Sequence, residues 1–367
     1  MILMNDFNAE PPELKNAMLD AVRRVLNSGW YVLGSEGLAF EKLWAHACGV
    51  AYGVGVGNGM DAIEIALRGL DIGPGDEVIT TPMTAFATVL AILRAGAVPV
   101  LADITPESAL LSLESAKRCL SSRTKAVLLV HLYGQVRAMR EWLEFCQSTD
   151  VHLIEDCAQA HLAKWKGSVA GSFGAAAAYS FYPTKNLGAL GDAGILVTQD
   201  RSLAERAIRF RNYGQDVRYK HPVVGMNSRL DELHAAILAE RLKWLPMFTE
   251  RRRRIAAEYR SGISNPFVRH LAAPEERAAH VYHLYVVISP HRDALQNHLR
   301  AKGIQTLIHY PVPIHQQPPC TNIRRDPQGL LWSEQHAAQC LSLPCHPQMT
   351  DKDIAQVILA VNSFKVN

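Results

Sequence analysis

The sequence predicts an α/β protein built on a mainly parallel sheet, and three observations carry that expectation. Short apolar runs of strand length alternate with amphipathic helical stretches from about residue 52 to residue 198. Such runs fit strands that are covered by helices on both faces. The chain has 367 residues, 48% hydrophobic and 20% charged, enough for a large core and, by length, about two or three domains. Polar residues with turn chemistry stand just beyond the apolar runs, where open parallel sheets gather ligands.

The elements follow in chain order. Glu13 to Leu26 reads as a helix with Leu14, Met18, Ala21, Val22 and Val25 on one face and Gly29 as its stop. A second helix covers Leu38 to Ala47. Tyr52 to Val56 is a buried strand, Asp61 to Leu70 a helix, Glu77 to Thr80 a strand, and Thr84 to Arg94 a helix ended by Gly96. Strands at Val98 to Leu101, Lys125 to His131 and Val151 to Ile154 follow, with a helix at Arg137 to Gln147 before the last. Ala175 to Ser180 and Gly194 to Thr198 bring the sheet to about seven strands flanked by helices. After a helix at Leu203 to Phe210, a polar loop leads to a long helical region from Asp231 to about Tyr259. The remainder reads as a smaller α+β unit: a strand at Val281 to Ile288, a helix at Arg292 to Lys302, a Pro-rich loop from Tyr310 to Pro319 and a last helix near Lys352 to Phe364. The expected division is a large domain over residues 1–250 and a small C-terminal domain over residues 251–367.

Composition narrows the function classes. Net charge is +3, and the one basic cluster, Arg251 to Arg254, falls in a helical stretch and reads as a solvated face rather than a nucleic-acid surface. Seven cysteines without a C-x-x-C spacing point to reduced thiols and a cytoplasmic protein, with Cys157 a small buried spacer. The first residues lack a basic region followed by an apolar core, so no signal peptide is expected. No apolar run approaches the roughly 18–20 residues that span a bilayer.

The chemistry concentrates in two segments. Asp156 ends the apolar run Val151 to Ile154, and Lys185 lies on a turn flanked by Pro183, Asn186 and Gly188, after a second apolar run. A strand-end carboxylate can cap the next turn, ligate a metal, bind a ribose or pair with a cationic ring. Taken with a lysine, it is what pyridoxal phosphate requires: an acid at the ring nitrogen and an amine at the aldehyde. Moving protons also needs an amine that is neutral near pH 7, which burial beside a cationic system provides. Gln159 lies three residues after Asp156 and can reach the ring's phenolic oxygen if the segment makes a helical turn.

Gly57-Asn58-Gly59-Met60-Asp61 joins a strand to a helix, and the free N–H groups at such a helix start cradle a phosphate, with Ser180 adding a hydroxyl. The glycine run from Gly53 imitates a dinucleotide fingerprint, but Met60 occupies the third glycine's place. Asn227-Ser228-Arg229-Leu230-Asp231-Glu232 opens the long helix, with Ser228 as the expected cap and Asn227 and Arg229 free to bind an anion. His309 and Tyr310 sit on a loop stiffened by Pro311 and Pro313, a substrate contact or a structural loop. His309 and His315 lack an adjoining acid or cysteine pattern, so no metal site is expected.

Together these segments resemble the DegT/StrS-type sugar aminotransferases, which are fold-type I pyridoxal phosphate enzymes. The resemblance covers nearly the whole chain and includes Ser28 to Gly34, Gly57 to Gly59, Ile72 to Ile79, His131 to Gln135 and Asn227 to Leu233. It implies that Lys185 links to the cofactor aldehyde, Asp156 partners the ring nitrogen and Gln159 contacts the ring oxygen. It further implies that Ser180 and the backbone at Gly59 and Met60 hold the phosphate. Asn227 would reach the other subunit's cofactor, which implies a homodimer with shared active sites, and Arg229 would recognise a donor carboxylate or the nucleotide sugar. The run Ser180 to Asp192 is similar to members that aminate C3 of a nucleotide-linked 3-keto-6-deoxyhexose, and Tyr182, His309 and Tyr310 fit the sugar-contacting positions of that group.

Two positions depart from the family pattern. Met60 stands where a threonine is usual, which removes a phosphate hydroxyl contact. Ala85 stands where an aromatic usually covers the cofactor ring, and Phe86 follows it. Either Phe86 turns in or the ring packs on Ala85, and a helix running unbroken from Thr84 favours the second. The expected reaction is a ping-pong transfer from an amino acid, glutamate first among donors, to a nucleotide-linked keto sugar. The competing readings are a 4-keto sugar or cyclitol acceptor, a cofactor-binding regulator, and a nicotinamide-dependent oxidoreductase.

Overall fold

The computed structural model describes residues 1–366. Its centre is an eight-stranded sheet. In spatial order the strands are Tyr52–Val56, Gly194–Thr198, Ala176–Ser180, His152–Asp156, Thr124–Val130, Glu77–Thr80, Val98–Leu101 and Arg324–Arg325. Gly194–Thr198 runs antiparallel to both its neighbours, and the other pairings are parallel.

Seven of these strands coincide with the apolar runs of the sequence. The eighth does not, because two arginines carry no apolar signal. It is held from the side instead. Glu77, fully buried, binds the guanidinium groups of Arg123 (2.6 Å) and Arg324. Asp326 accepts from Arg118 (2.6 Å) and from the Ser115 hydroxyl, and its N–H donates to the Leu101 carbonyl at 2.8 Å.

Each strand sends alternate side chains to opposite faces. On one face Leu153, Val127 and Ile195 pack with Phe40, Trp44 and Trp142. On the other, Ile154, Leu128 and Leu196 pack with Ile63, Leu67 and Ile92. This alternation places Glu155 on the first face and Asp156 on the second, beside the helices Gly59–Gly69 and Phe86–Arg94.

The helical region expected from Asp231 to Tyr259 is two helices, Glu232–Leu242 and Leu245–Gly262. Pro246 explains the break, because its ring cannot continue a helix already running but fits a first turn. The basic run in the second helix is a solvated face at Arg254 but not at Arg252 and Arg253. Arg252 is 5% exposed and donates to the carbonyls of Tyr282, His283 and Cys345, and Arg253 donates to His280 O at 3.0 Å. These arginines clamp the helix to the C-terminal residues.

Those residues form a three-stranded antiparallel sheet, Arg269–His270, Tyr285–Ile288 and Cys340–Leu343. Its core joins Ile255, Tyr259, Val287, Leu299 and Val357, and Ile2 from the other end of the chain. Ile2 pairs with Ile304 there. The position 250/251 lies inside the helix Leu245–Gly262, which serves both cores.

Candidate active site

At the carboxyl ends of the parallel strands, glycines let main chains approach closely. A Cβ on Gly59 would lie 2.8 Å from Ser180 Cβ, and one on Gly194 would lie 2.3 Å from the Asn58 carbonyl carbon. Only glycine therefore allows the helix Gly59–Gly69 to start against Ser180. Asn58 caps that helix, its Oδ1 accepting from Asp61 N at 2.8 Å. The N–H groups of Gly59 and Met60 belong to the first turn, where they have no partner within the helix.

Beside this start lies a cavity of about 390 Å³, lined by Gly59, Met60, Ala85, Asp156, Ser180, Tyr182 and Lys185, together with Asn58, Thr88 and Asp192. Asp156 is buried. Its Oδ1 accepts from Ala158 N at 3.1 Å and its Oδ2 from the Thr88 hydroxyl at 2.9 Å. Burial pushes its carboxyl above the ordinary range, against the pull of those two donors and of the Lys185 charge. Lys185 shows the reverse effect: burial pushes its amine down to about 8, with Asp156 opposing. The turn reading of Asp156 is thus true together with its place in the cavity.

Ala85 lines the cavity, whereas Phe86 opens the helix Phe86–Arg94, stands 36% exposed and lies outside the lining. Gln159 is buried behind the lining. Its Oε1 accepts from Tyr133 N at 2.6 Å and its Nε2 donates to the Tyr310 hydroxyl at 3.2 Å. The Tyr133-Gly134 turn makes this possible: both residues have positive φ, and a Cβ on Gly134 would lie 2.7 Å from Gln159 O. Tyr133 OH also donates to the His309 carbonyl, so Gln159, Tyr310 and His309 are joined in one network. Burial pushes the Tyr310 phenol up to about 12. Burial and the nearby Lys185 push His309 down to about 4, which leaves a neutral ring paired with Ser342 Oγ at 2.8 Å.

Asn227 is exposed and Arg229 lies over the Tyr213 ring at 5.5 Å; neither lines the cavity. Ser228 is not a helix cap. Its hydroxyl donates to Asp61 Oδ2 at 2.7 Å and accepts from Gly57 N at 2.9 Å, which ties this segment to the helix Gly59–Gly69. The following helix is capped at Asp231 without a side-chain bond among the described residues. Glu232 instead accepts from the main-chain N–H groups of Gly34, Glu36 and Gly37, and so caps the helix Ser35–Cys48.

The sequence reading missed Thr88, Glu155, His131 and His161. Glu155 is fully buried: Oε1 accepts from the N–H groups of Phe173 and Gly174, and Oε2 from Gly171 N and His131 Nε2. His131, Glu155 and Cys157 have ligand atoms within 4.8 Å of one another. The four donors already engage both Glu155 oxygens, so the cluster is a structural knot rather than a metal cage. Burial pushes His161 down to about 3, and its Nε2–H donates to Ser180 O at 2.9 Å.

This donor set fits pyridoxal phosphate. A helix start crowded against Ser180 would receive the phosphate, the buried Asp156 would face the ring nitrogen, and Lys185 would meet the aldehyde. The profile of the DegT/DnrJ/EryC1/StrS aminotransferase family matches residues 12–362. The chain belongs to this family. Within the DegT/DnrJ/EryC1/StrS aminotransferases, a dTDP-3-amino-3,6-dideoxy-alpha-D-galactopyranose transaminase of Aneurinibacillus thermoaerophilus is 45% identical over 346 residues, covering 94% of each chain. A dTDP-3-amino-3,4,6-trideoxy-alpha-D-glucose transaminase of Streptomyces venezuelae is 42% identical over 360 residues, covering 98% of this chain and 95% of its own. The solved structure of S. venezuelae DesV in complex with a ketimine intermediate superposes with a TM-score of 0.95 at 41% identity, covering 100% of this chain and 99% of that one. The fold-type I architecture implied by the resemblance is therefore the fold of this chain. This DegT/DnrJ/EryC1/StrS member is a pyridoxal-phosphate-dependent aminotransferase.

Proposed function

We propose that this aminotransferase moves an amino group from an amino acid, glutamate as the first donor to test, to C3 of a nucleotide-linked keto-deoxyhexose. The observation that carries the chemistry is one cavity lined by the Lys185 amine and the Asp156 carboxylate, with the Gly59 helix start and Ser180 at its wall. Bound pyridoxal phosphate supplies the electron sink. The Gly59 and Met60 N–H groups and the Ser180 hydroxyl bind and orient its phosphate. Asp156 holds a proton at the ring nitrogen. Lys185 Nζ, lowered to about 8, carries protons to and from the reacting carbon.

The acceptor reading is supported by relatives named for 3-amino sugars and by the position of Tyr182 on the cavity lining. It is also supported by the neutral His309 and Tyr310 pair, which the Tyr133–Gln159 network ties to the same region. We read His309, Tyr310 and Tyr182 as sugar contacts, and Arg229 as an anion contact outside the cavity of one chain. A homodimer follows from the same reading. Asn227 is exposed and outside its own cavity, and Tyr31, whose carbonyl accepts from Glu232 N at 3.0 Å, is exposed together with its neighbour Trp30. Seven unbridged cysteines, all buried, support a reducing, cytoplasmic setting. Among the described residues no helix is long and apolar enough to cross a membrane.

The test offers 3-keto and 4-keto nucleotide sugars side by side with glutamate and identifies the amino sugar by mass spectrometry and NMR. Amination of the 3-keto sugar alone is the expected result. Turnover confined to the 4-keto sugar would overturn the C3 assignment.

A further inference from the structure

Asp156 is a buried carboxyl, yet it has little of the support that a buried anion usually requires. Its ordinary partners are one main-chain N–H, from Ala158, and one hydroxyl, from Thr88. Thr88 is the third residue of the helix Phe86–Arg94, within its first turn, and is 1% exposed. A threonine near a helix start commonly spends its hydroxyl on main-chain groups of its own segment. Here the hydroxyl instead crosses to the sheet and meets Asp156 Oδ2 at 2.9 Å. The residue four positions earlier, Thr84, is also buried, and its Oγ1 lies 2.7 Å from Thr88 Oγ1.

For an ionised Asp156 the direction of this chain of hydroxyls is forced. An ionised carboxylate only accepts, so Thr88 donates its one proton to Asp156, and Thr84 must then donate to Thr88. With Asp156 ionised, both hydroxyl dipoles point at it. With Asp156 protonated on Oδ2, the chain can reverse. The relay therefore favours the ionised acid, and each link polarises the next.

Resting on the cofactor reading of this cavity, we infer that Thr84 and Thr88 are positioning residues that hold Asp156 ionised and aimed at the ring nitrogen, and so set the strength of the electron sink. Each Asp156 oxygen uses one acceptor site for its protein donor and retains another. Because Asp156 lines the cavity, a retained site is available to the ring N–H. The relay also couples this acid to the helix that starts directly after Ala85, the residue on the cavity wall.

The experiment compares holoenzymes carrying Thr88→Val, Thr88→Ser and Thr84→Val, each loaded with pyridoxal phosphate labelled with ¹⁵N in the ring. Valine keeps the shape and removes the donor; serine restores the donor. The wild type and Thr88→Ser are expected to show the ¹⁵N shift of a protonated ring nitrogen. Thr88→Val should move that shift towards the unprotonated value and lower kcat roughly tenfold, with KM for the amino donor nearly unchanged. Thr84→Val, one link further away, should show the same changes to a smaller extent. A Thr88→Val protein with wild-type ¹⁵N shift and kcat, its cofactor bound, would overturn the relay. Failure of the cofactor reading is separable: it would appear as Lys185→Ala protein that remains coloured and active, whatever happens at Thr88.

Discussion

Two carboxylates stand next to each other on one strand, Glu155 and Asp156, and the protein treats them oppositely. On one face of the sheet, Glu155 receives four donors, three from the main chain of residues 171–174 and one from His131. On the other face, Asp156 receives two, and burial pushes its carboxyl upward. Both are buried. A fully satisfied buried anion is a piece of architecture, whereas an under-satisfied one with a route to a cavity is available for chemistry.

The comparison can be tested from both sides. Glu155→Gln has the largest expected effect, on stability. Whichever way the amide is turned, its NH₂ faces a main-chain N–H at residue 171, 173 or 174. A loss of about 3–5 kcal/mol is expected in chemical denaturation, with kcat of the protein that does fold close to wild type. A stable Glu155→Gln protein would remove the architectural reading. Asp156→Asn should do the opposite: kcat falls about 10²–10³-fold while the cofactor-free protein stays as stable as wild type or gains at pH 7. The sign follows from linkage. A carboxyl whose pKa is raised by folding binds protons more tightly in the native state, so stability falls as pH rises through its titration, and removing the charge relieves that loss.

Lys185 sharpens the same contrast through pH. In the role proposed for Lys185 only the neutral amine would react with the cofactor aldehyde, and burial brings its pKa down to about 8. Capture of pyridoxal phosphate by cofactor-free protein should accelerate about tenfold per pH unit below pH 8 and level off above it. Stopped-flow absorbance measures this directly, and a plateau near pH 10 would mean that the amine is effectively solvated. The smallest expected effect is at Phe86. Because it lies outside the cavity lining, Phe86→Ala should change cofactor affinity by less than about twofold, within the usual range for substitutions away from buried features. A large loss would put Phe86 over the ring in the working enzyme.

The central sheet was legible because its strands are apolar on both faces, and a run such as Val127-Leu128-Leu129-Val130 has few other readings. The acid, the lysine and the glycine helix start were legible for a related reason: they mark strand ends and turns. What escaped was held by side chains acting across long sequence distances. Arg324–Arg325 has no strand pattern and is recruited by Glu77. The run from Arg251 looks solvated until the carbonyls of Tyr282, His283 and Cys345 are brought to Arg252. Ser228 and Glu232 have the spacing of a local cap and spend their bonds on other helices. Thr88 was invisible because a threonine inside a helix has no distinctive spacing. Its partner is 68 residues away.

The strand Arg324–Arg325 gives the C-terminal residues a seat on the far rim of the main sheet, and the loop leading to it is pinned as well, with Ile314 N donating to Pro82 O at 3.0 Å. A hinge that swung the smaller unit outward would have to pull this seat away and take Arg324 from Glu77, leaving that buried acid to Arg123 and Ser121. The part of the cavity wall that this chain supplies is therefore braced from both ends of the sequence, and a change at the rim strand would be felt as a loosened seat for the whole C-terminal unit.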